Sequence, residues 1–448
     1  MTTKVKSILT AFILLVFALP IFANQPDIGF YRHADIRGIN VFEAPTLDTV
    51  PFTGLKVRIG GNFTQQFQML SHSNEANANI VPFGNSEINL NQLYPLSNGF
   101  NLATANLNFD IQLEDGIRVK LENYMSSRHH SEFWVKGGYI QMDKLPFLGN
   151  PDWFTDYVTI KVGHFGVNYG DQQFRRSDNG NTFHNPFVEN LIMDAFATEI
   201  GGEVYVRPTS ELFFMAGMTS GIINGDVKDV SPITRKPSLL AKAGYDSQVN
   251  DDLRLRLSAS LYTNPGTTRN TLYAGDRTGS RYYMVAEPEY YRNFQAGGAI
   301  TASTAANRFT SGRLSPDFTG EVTSIMINPF VKFKGLEFFG TYETSSGKTN
   351  AQTDKRSASQ IAGEVVYRFL PNEQAFVAAR YNKVDADLGG ANGEVSVDRI
   401  QIAAGWFPTK NLLVKLEYVN QNYNDFVNTD YRHGLEFNGL MLEAAIAF

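Results

Sequence analysis

Apolar and polar residues alternate with period two over long stretches of this chain. In residues 55–69, LKVRIGGNFTQQFQM, the odd positions Leu55, Val57, Ile59, Phe63, Phe67 and Met69 are apolar, while Lys56, Arg58, Asn62, Thr64, Gln66 and Gln68 lie between them. Successive side chains of a strand point to opposite faces, so this pattern predicts a strand with one apolar and one hydrophilic face. LATANLNFDIQLE (102–114), IRVKLENYM (117–125) and LRLRLSASLY (253–262) repeat it. A slip of one residue would turn Arg254 and Arg256 to the apolar side, so the pairing register is strongly specified. The alternating runs last 9 to 15 residues. Strands of soluble sandwiches average about 5–6 residues, whereas a tilted strand crossing a bilayer needs about 9–11. An open sheet in lipid would leave edge N–H and C=O groups unpaired at several kcal/mol each. The predicted fold is therefore all-β: a closed transmembrane antiparallel β-barrel.

The connections predict the strand number. Short turns fall at 114–116, 207–211, 247–251, 334–335, 371–373 and 407–411, with one longer turn at 143–156. Alternating with them are Gly/Asn/Ser/Asp-rich segments near 70–101, 126–132, 165–193, 220–237, 263–320, 346–357, 386–396 and 423–437. Short periplasmic turns and long external loops are the asymmetry of outer-membrane barrels. Eight loops and seven turns make about 16 strands. A further hairpin hidden in EYYRNFQAGGAITAS (289–303) would make eighteen.

The two ends fit an exported barrel. Residues 1–23 begin with Lys4 and Lys6, continue through an apolar run from Ile8 to Leu19 and close on Ala23, the layout of a secretory signal peptide. Residues 24–54 are too irregular for a strand and too short for a plug domain; they are assigned as an N-terminal periplasmic segment, with folding into the pore from below as the alternative. Residues 55–448 form the barrel. The chain closes on GLMLEAAIAF, an alternating strand whose last residue, Phe448, resembles the C-terminal signal read by the barrel-assembly machinery of bacterial outer membranes. The expected location is the bacterial outer membrane, with its lipids against the apolar face.

Charge and composition remove other classes. There is no cysteine, hence no disulfide framework and no thiolate chemistry. The whole chain carries a net −6, and without residues 1–23 it would carry −8, which argues against nucleic acid as a partner. The seven histidines are scattered. His129 and His130 beside Glu132 are the best metal candidate, with solvated loop residues as the ordinary reading; no metal or other cofactor is expected. No nucleophile and base stand at recognisable spacing, so no catalytic residue is assigned and the chain is not expected to be an enzyme.

Barrels of this size leave a water-filled channel. Tracing the polar phase inward puts Lys56, Arg58, Arg118, Lys120, Lys161, Arg254, Arg256, Arg368, Arg380 and Lys415 on its wall. Glu122, Glu199, Glu203, Glu337, Glu364 and Glu417 join them. For most of these the ordinary reading is a solvated residue paired across strands. The third long loop, 163–194, is too long for a simple hairpin. It mixes Phe165, Tyr169, Phe174, Phe183 and Phe187 with Arg175, Arg176, Asp171 and Asp178. Its aromatics would let it pack inside the barrel, making Arg175, Arg176 and Asp178 a charged constriction; a surface loop with neighbouring ion pairs is the alternative. The loop near 263–320, with Arg269, Arg277, Arg281, Arg292, Arg308 and Arg313, is the second candidate.

IKVGHFGVNYGDQQFRRSDN (160–179), LIMDAFATEIGGEVYV (191–206) and AAGWFPTKNLLVKLEYVNQNY (403–423) resemble the phosphate-selective porins of the O and P type. The resemblance implies a sixteen-stranded barrel, a homotrimer, a third loop folded inward and an anion-selective pore. The expected function is a porin for passive diffusion of small hydrophilic solutes and ions, with a mild anion preference. A substrate-specific channel for phosphate or sugars, or a barrel with an adhesive, structural or enzymatic role, is the alternative.

Overall fold

In a computed structural model, residues 25–43, 48–126, 132–221, 233, 235–274, 279–293 and 297–448 are described; the signal peptide expected at 1–23 and the expected metal candidates His129 and His130 lie outside them. The barrel strands are β1 (Lys56–Ser73), β2 (Thr104–Glu114), β3 (Ile117–Ser126), β4 (Glu132–Met142), β5 (Val158–Gly166), β6 (Thr198–Val206), β7 (Leu212–Thr219) and β8 (Ser238–Gln248). They continue as β9 (Leu253–Asn264), β10 (Glu321–Phe333), β11 (Leu336–Lys348), β12 (Arg356–Phe369), β13 (Ala375–Asp387), β14 (Glu394–Thr409), β15 (Leu412–Asn424) and β16 (Glu436–Ala447). Each pairs antiparallel with its sequence neighbours, and β16 returns to β1. The two-residue arm Gly99–Phe100 extends the β2 edge along β1, so sixteen strands span the sheet. The hairpin that would have raised the number forms, as Tyr290–Asn293 against Ala299–Ala302, but it pairs only with itself.

The dyad pattern sets the faces. Val57, Ile59, Phe63, Leu255, Leu257, Leu440 and Leu442 are exposed outward, while Arg58, Asn62, Thr64, Gln66, Arg256 and Ser258 are buried inside. Closure pairs Phe63 with Ile446 and Met69 with Leu440. At this seam Gly439 has φ 144°, and a Cβ there would stand 2.1 Å from the Met69 carbonyl oxygen. The close approach requires glycine. Leu257, 53 % exposed in mid-strand, faces lipid. Its replacement by arginine is expected to cost about 2–4 kcal/mol at bilayer mid-depth, read as a reduced yield of folded, heat-modifiable barrel.

At the turn between β4 and β5 a short helix, α1 (Asp152–Tyr157), sits on the barrel rim with Phe154 buried beneath it. On the opposite rim the loops are long, and two of them turn inward. The inner space is further occupied by the segment before β1. Residues 25–43 enter the lumen, where Ala34, Ile36 and Ile39 pack against Phe183, Phe187, Phe376 and Phe407. Phe42 joins Phe330 and Phe339 in a second apolar cluster.

Candidate functional site: the packed lumen

The third external loop, 167–197, crosses the lumen and is held from the wall by strong donors and acceptors. Lys415 Nζ donates to the carbonyl oxygens of Thr182, Asn185 and Phe187 at 2.9–3.1 Å. Glu417 accepts from the Val188 N–H (2.8 Å), Asn382 from Ile192, and Gln360 from Met193. Arg380 donates to the Glu189 carbonyl and pairs with Glu364 (2.8 Å). Arg399 donates to the Asn190 carbonyl. Interior backbone groups must find partners, and here the wall charges supply them.

The fifth loop packs onto the third. Tyr282 Oη donates to Glu417 (2.7 Å), the Arg281 guanidinium to the Asn179 carbonyl (2.8 Å), and Leu314 N–H to the Ile192 carbonyl. Arg313 pairs with Glu189 and Asp194. Burial alone would raise the Glu189 carboxyl, but Arg313, Arg281 and Arg399 outweigh it and hold the group at about 2. Arg308 pairs with Glu287, Arg269 and Arg292 are exposed, and Arg277 lies outside the described residues. The lumen is thus not open across its width, as an unobstructed channel of this strand number would be.

From the other end, residues 25–43 meet the third loop. Arg32 donates to the carbonyls of Phe174 (2.8 Å) and Gly38. Asn40 donates to Glu337 (2.6 Å) and accepts from Arg175. Glu43 pairs with Arg256 (2.7 Å) and Lys242 (2.9 Å), and both cations also bind Asp171. Burial opposes charge on Asp171, yet Lys242 and Arg256 hold its carboxyl below the usual range. His184 Nε2 donates to the Asp35 carbonyl oxygen (3.4 Å), and burial and then Arg32 push the imidazole well below the ordinary histidine value.

One opening lies against β3 to β6. Two joined lobes of about 200 and 170 Å³ share Arg32, Lys120, Tyr139, Lys161, Gly166, Gln173 and Phe174. Together they are bounded by six cations, Arg32, Arg118, Lys120, Lys136, Lys161 and Arg176, and four carboxylates, Glu43, Asp110, Glu122 and Asp178. A β-bulge makes part of this wall: Glu122 pairs with Gly137 and Asn123 with Val135, so Lys136 is left over and turns inward. Lys136 bridges Glu122 (3.3 Å) and Asp178. On the far side of residues 36–40, a vestibule of about 720 Å³ is lined by Arg37, Arg254, Lys332, Lys334, Arg368 and Lys410, with Asp251, Asp252 and Glu373.

The residues expected to line the pore therefore separate. Arg176, Asp178, Arg118 and Lys120 border the cleft, and Arg254 borders the vestibule. Arg175 does not border these openings: it is buried against Glu337 (3.6 Å), Glu364 (3.4 Å) and the Phe339 ring. Arg256 is buried in its own ion network. Lys56 and Arg58 hold carbonyls of the entering segment, Asp27 and Pro26. Phe448 ends the closing strand, its backbone paired with Gly61. Arg32, Asn40, Glu43 and Lys136 were not among the expected site residues. Among the described residues no three His, Cys, Asp or Glu side chains gather as a metal site.

No known family profile matches the chain, and no curated protein matches it; the phosphate-selective assignment thus gains no support. Solved structures do match. The anion-selective porin from Comamonas acidovorans superposes with a TM-score of 0.51 at 9 % identity, over 88 % of this chain and 100 % of that one. OprB of Pseudomonas putida gives 0.51 at 11 % identity, over 88 % and 94 %. The fold is that of a bacterial outer-membrane porin barrel, closed by sixteen antiparallel strands.

Proposed function

We propose that the chain forms an outer-membrane channel for passive diffusion of small hydrophilic solutes, with a preference for anions. The observation that carries the reading is the excess of cations along the cleft and along the vestibule. Rings of charge at a narrow passage select by sign, and fields focus in clefts with low-dielectric walls. The mature net charge is negative, so this excess is a property of the passage and not of the whole molecule. The packing of the lumen favours a low conductance and a narrow size limit over a wide general pore. A homotrimer, outer-membrane lipids around it and insertion by the barrel-assembly machinery belong to the same proposal.

Single-channel recording in a planar bilayer, with the reversal potential measured under a salt gradient, tests it. Small openings with an anion-selective reversal potential are expected, and Lys120→Glu is expected to move that potential toward the cation side. A folded barrel that passes no current, or a native channel preferring cations, would refute the reading.

A further inference from the structure

We infer that the cleft beside β3 to β6 is a binding subsite for a small monocarboxylate carrying a flat ring. The inference rests on the channel reading above and names the solute class of that passage. Its first support is the state of the cations. Arg118 pairs with Asp110, Lys136 with Glu122, Lys161 with Glu203 and Arg176 with Asp194. Among the described residues Lys120 has no ion-pair partner, and Arg32 spends Nε and Nη2 on carbonyl oxygens. Both border both lobes of the cleft. Glu122, Asp110 and Glu43 border the same space, but among the described residues neither Lys120 nor Arg32 is clamped in a direct ion pair, so both can turn to the two oxygens of a bound carboxylate.

The second support is the lining between the charges. Tyr139, Phe165, Phe174, Phe196 and Tyr205 border the two lobes. The Lys161 ammonium lies 4.0 Å from the Phe165 ring centre and 4.7 Å from that of Tyr139, and the Arg176 guanidinium lies 4.1 Å from that of Phe196. Rings that hold cations over their faces keep those charges in place while offering edges and apolar area to a guest. A bare oxyanion gains nothing from such surface, whereas a ring attached to a carboxylate does.

The third support is size. Glycines at 137, 138 and 166 border the lobes, and a Cβ at Gly137 would stand 2.7 Å from the His164 carbonyl oxygen. The lobes, about 200 and 170 Å³, are smaller than the roughly 300–1,000 Å³ of pockets for drug-sized ligands. One six-membered ring with its carboxylate fits that space, and an oligosaccharide does not.

Titration calorimetry of the full-length folded protein in detergent, with benzoate, cyclohexanecarboxylate, acetate and inorganic phosphate, tests the inference on the native chain. Benzoate is expected to bind about tenfold tighter than acetate and measurably tighter than cyclohexanecarboxylate. Lys120→Gln should abolish most of that binding, and Tyr139→Leu should erase the advantage of benzoate over cyclohexanecarboxylate. Equal affinity for benzoate and acetate, or tightest binding of phosphate, would overturn the inference. Current block by the same anions in a bilayer separates the two readings. A conducting, anion-selective channel indifferent to benzoate would keep the channel and remove the subsite. Benzoate binding by a silent barrel would keep the subsite and remove the channel.

Discussion

Deletion of residues 25–43 is expected to raise single-channel conductance several-fold while leaving a folded, heat-modifiable barrel. The sixteen strands lie outside the deleted segment, and their ladder is closed by β16 on β1 without it. What the deletion removes is the material between the cleft and the vestibule. Phe42 leaves its edge-on contacts with Phe174 and Phe330, at 6.0 and 5.4 Å between ring centres. Asn40 leaves Glu337, and Arg254 loses the Asn40 carbonyl it donates to at 3.0 Å. Removing Glu43 also takes one carboxylate from Arg256 and Lys242, but Arg32 and Arg37 leave the openings with it, so conductance should rise without a gain in anion preference. Gly38→Val offers a gentler version. A Cβ at Gly38 would stand 1.9 Å from the His33 carbonyl oxygen and 2.7 Å from His184 Nε2, so the turn must shift. Unchanged conductance in both variants would mean that the segment does not occupy the pore in the membrane.

The second large effect is expected at Asp171. Its side chain is fully buried and holds two cations: Lys242 at 2.7 Å, and Arg256 through both carboxylate oxygens at 2.8 Å. Breaking a buried pair by removing one partner costs about 3–5 kcal/mol, and in Asp171→Ala two buried cations are left sharing Glu43, with Asp246 beside Arg256. Barrel backbone bonds do not depend on this network, so the cost should fall on the third loop. Hydrogen exchange should show amides such as those of Asp171 and Phe174 losing about two orders of magnitude of protection. Adding Lys242→Ala should restore part of it, the non-additivity expected of residues in one network. The pH dependence has a definite sign. The carboxyl is lowered in the folded state, so its contribution is complete above the ordinary aspartate value and is lost as pH falls through the folded one. Protection unaltered by Asp171→Ala would show that the loop is held without the network.

Much of the barrel was legible from local pattern. The alternation in residues 55–69 and 253–262 predicts which side chains face out, and Phe63, Leu255 and Leu257 do so. The lumen was less legible. Phe330, Phe339, Phe376 and Phe407 occupy the inward phase, where water alone would not favour them, and they mark where inserted segments pack. That signal was available in the sequence. Arg175 shows the opposite case. Its loop position suggested a passage, but its guanidinium is buried between Glu337 and Glu364. Nothing near residue 175 in the chain announces partners on β11 and β12.

The sequence by itself determined the strands, their register, the even strand number and the lipid-facing surface. Each follows from a period-two pattern and short turns, which act between residues close in the chain or directly paired across it. Only the tertiary structure decided which wall charges clamp an inserted segment and which face the remaining openings. Lys415 binds carbonyls of the third loop, Arg256 binds Asp171 and Glu43, and Lys120 stands at the cleft without an ion pair among the described residues. All three sit in the same inward phase of similar strands. Their roles differ because of contacts such as Asn40 to Glu337, 297 residues apart, and loop closure over such distances leaves no local trace in the chain.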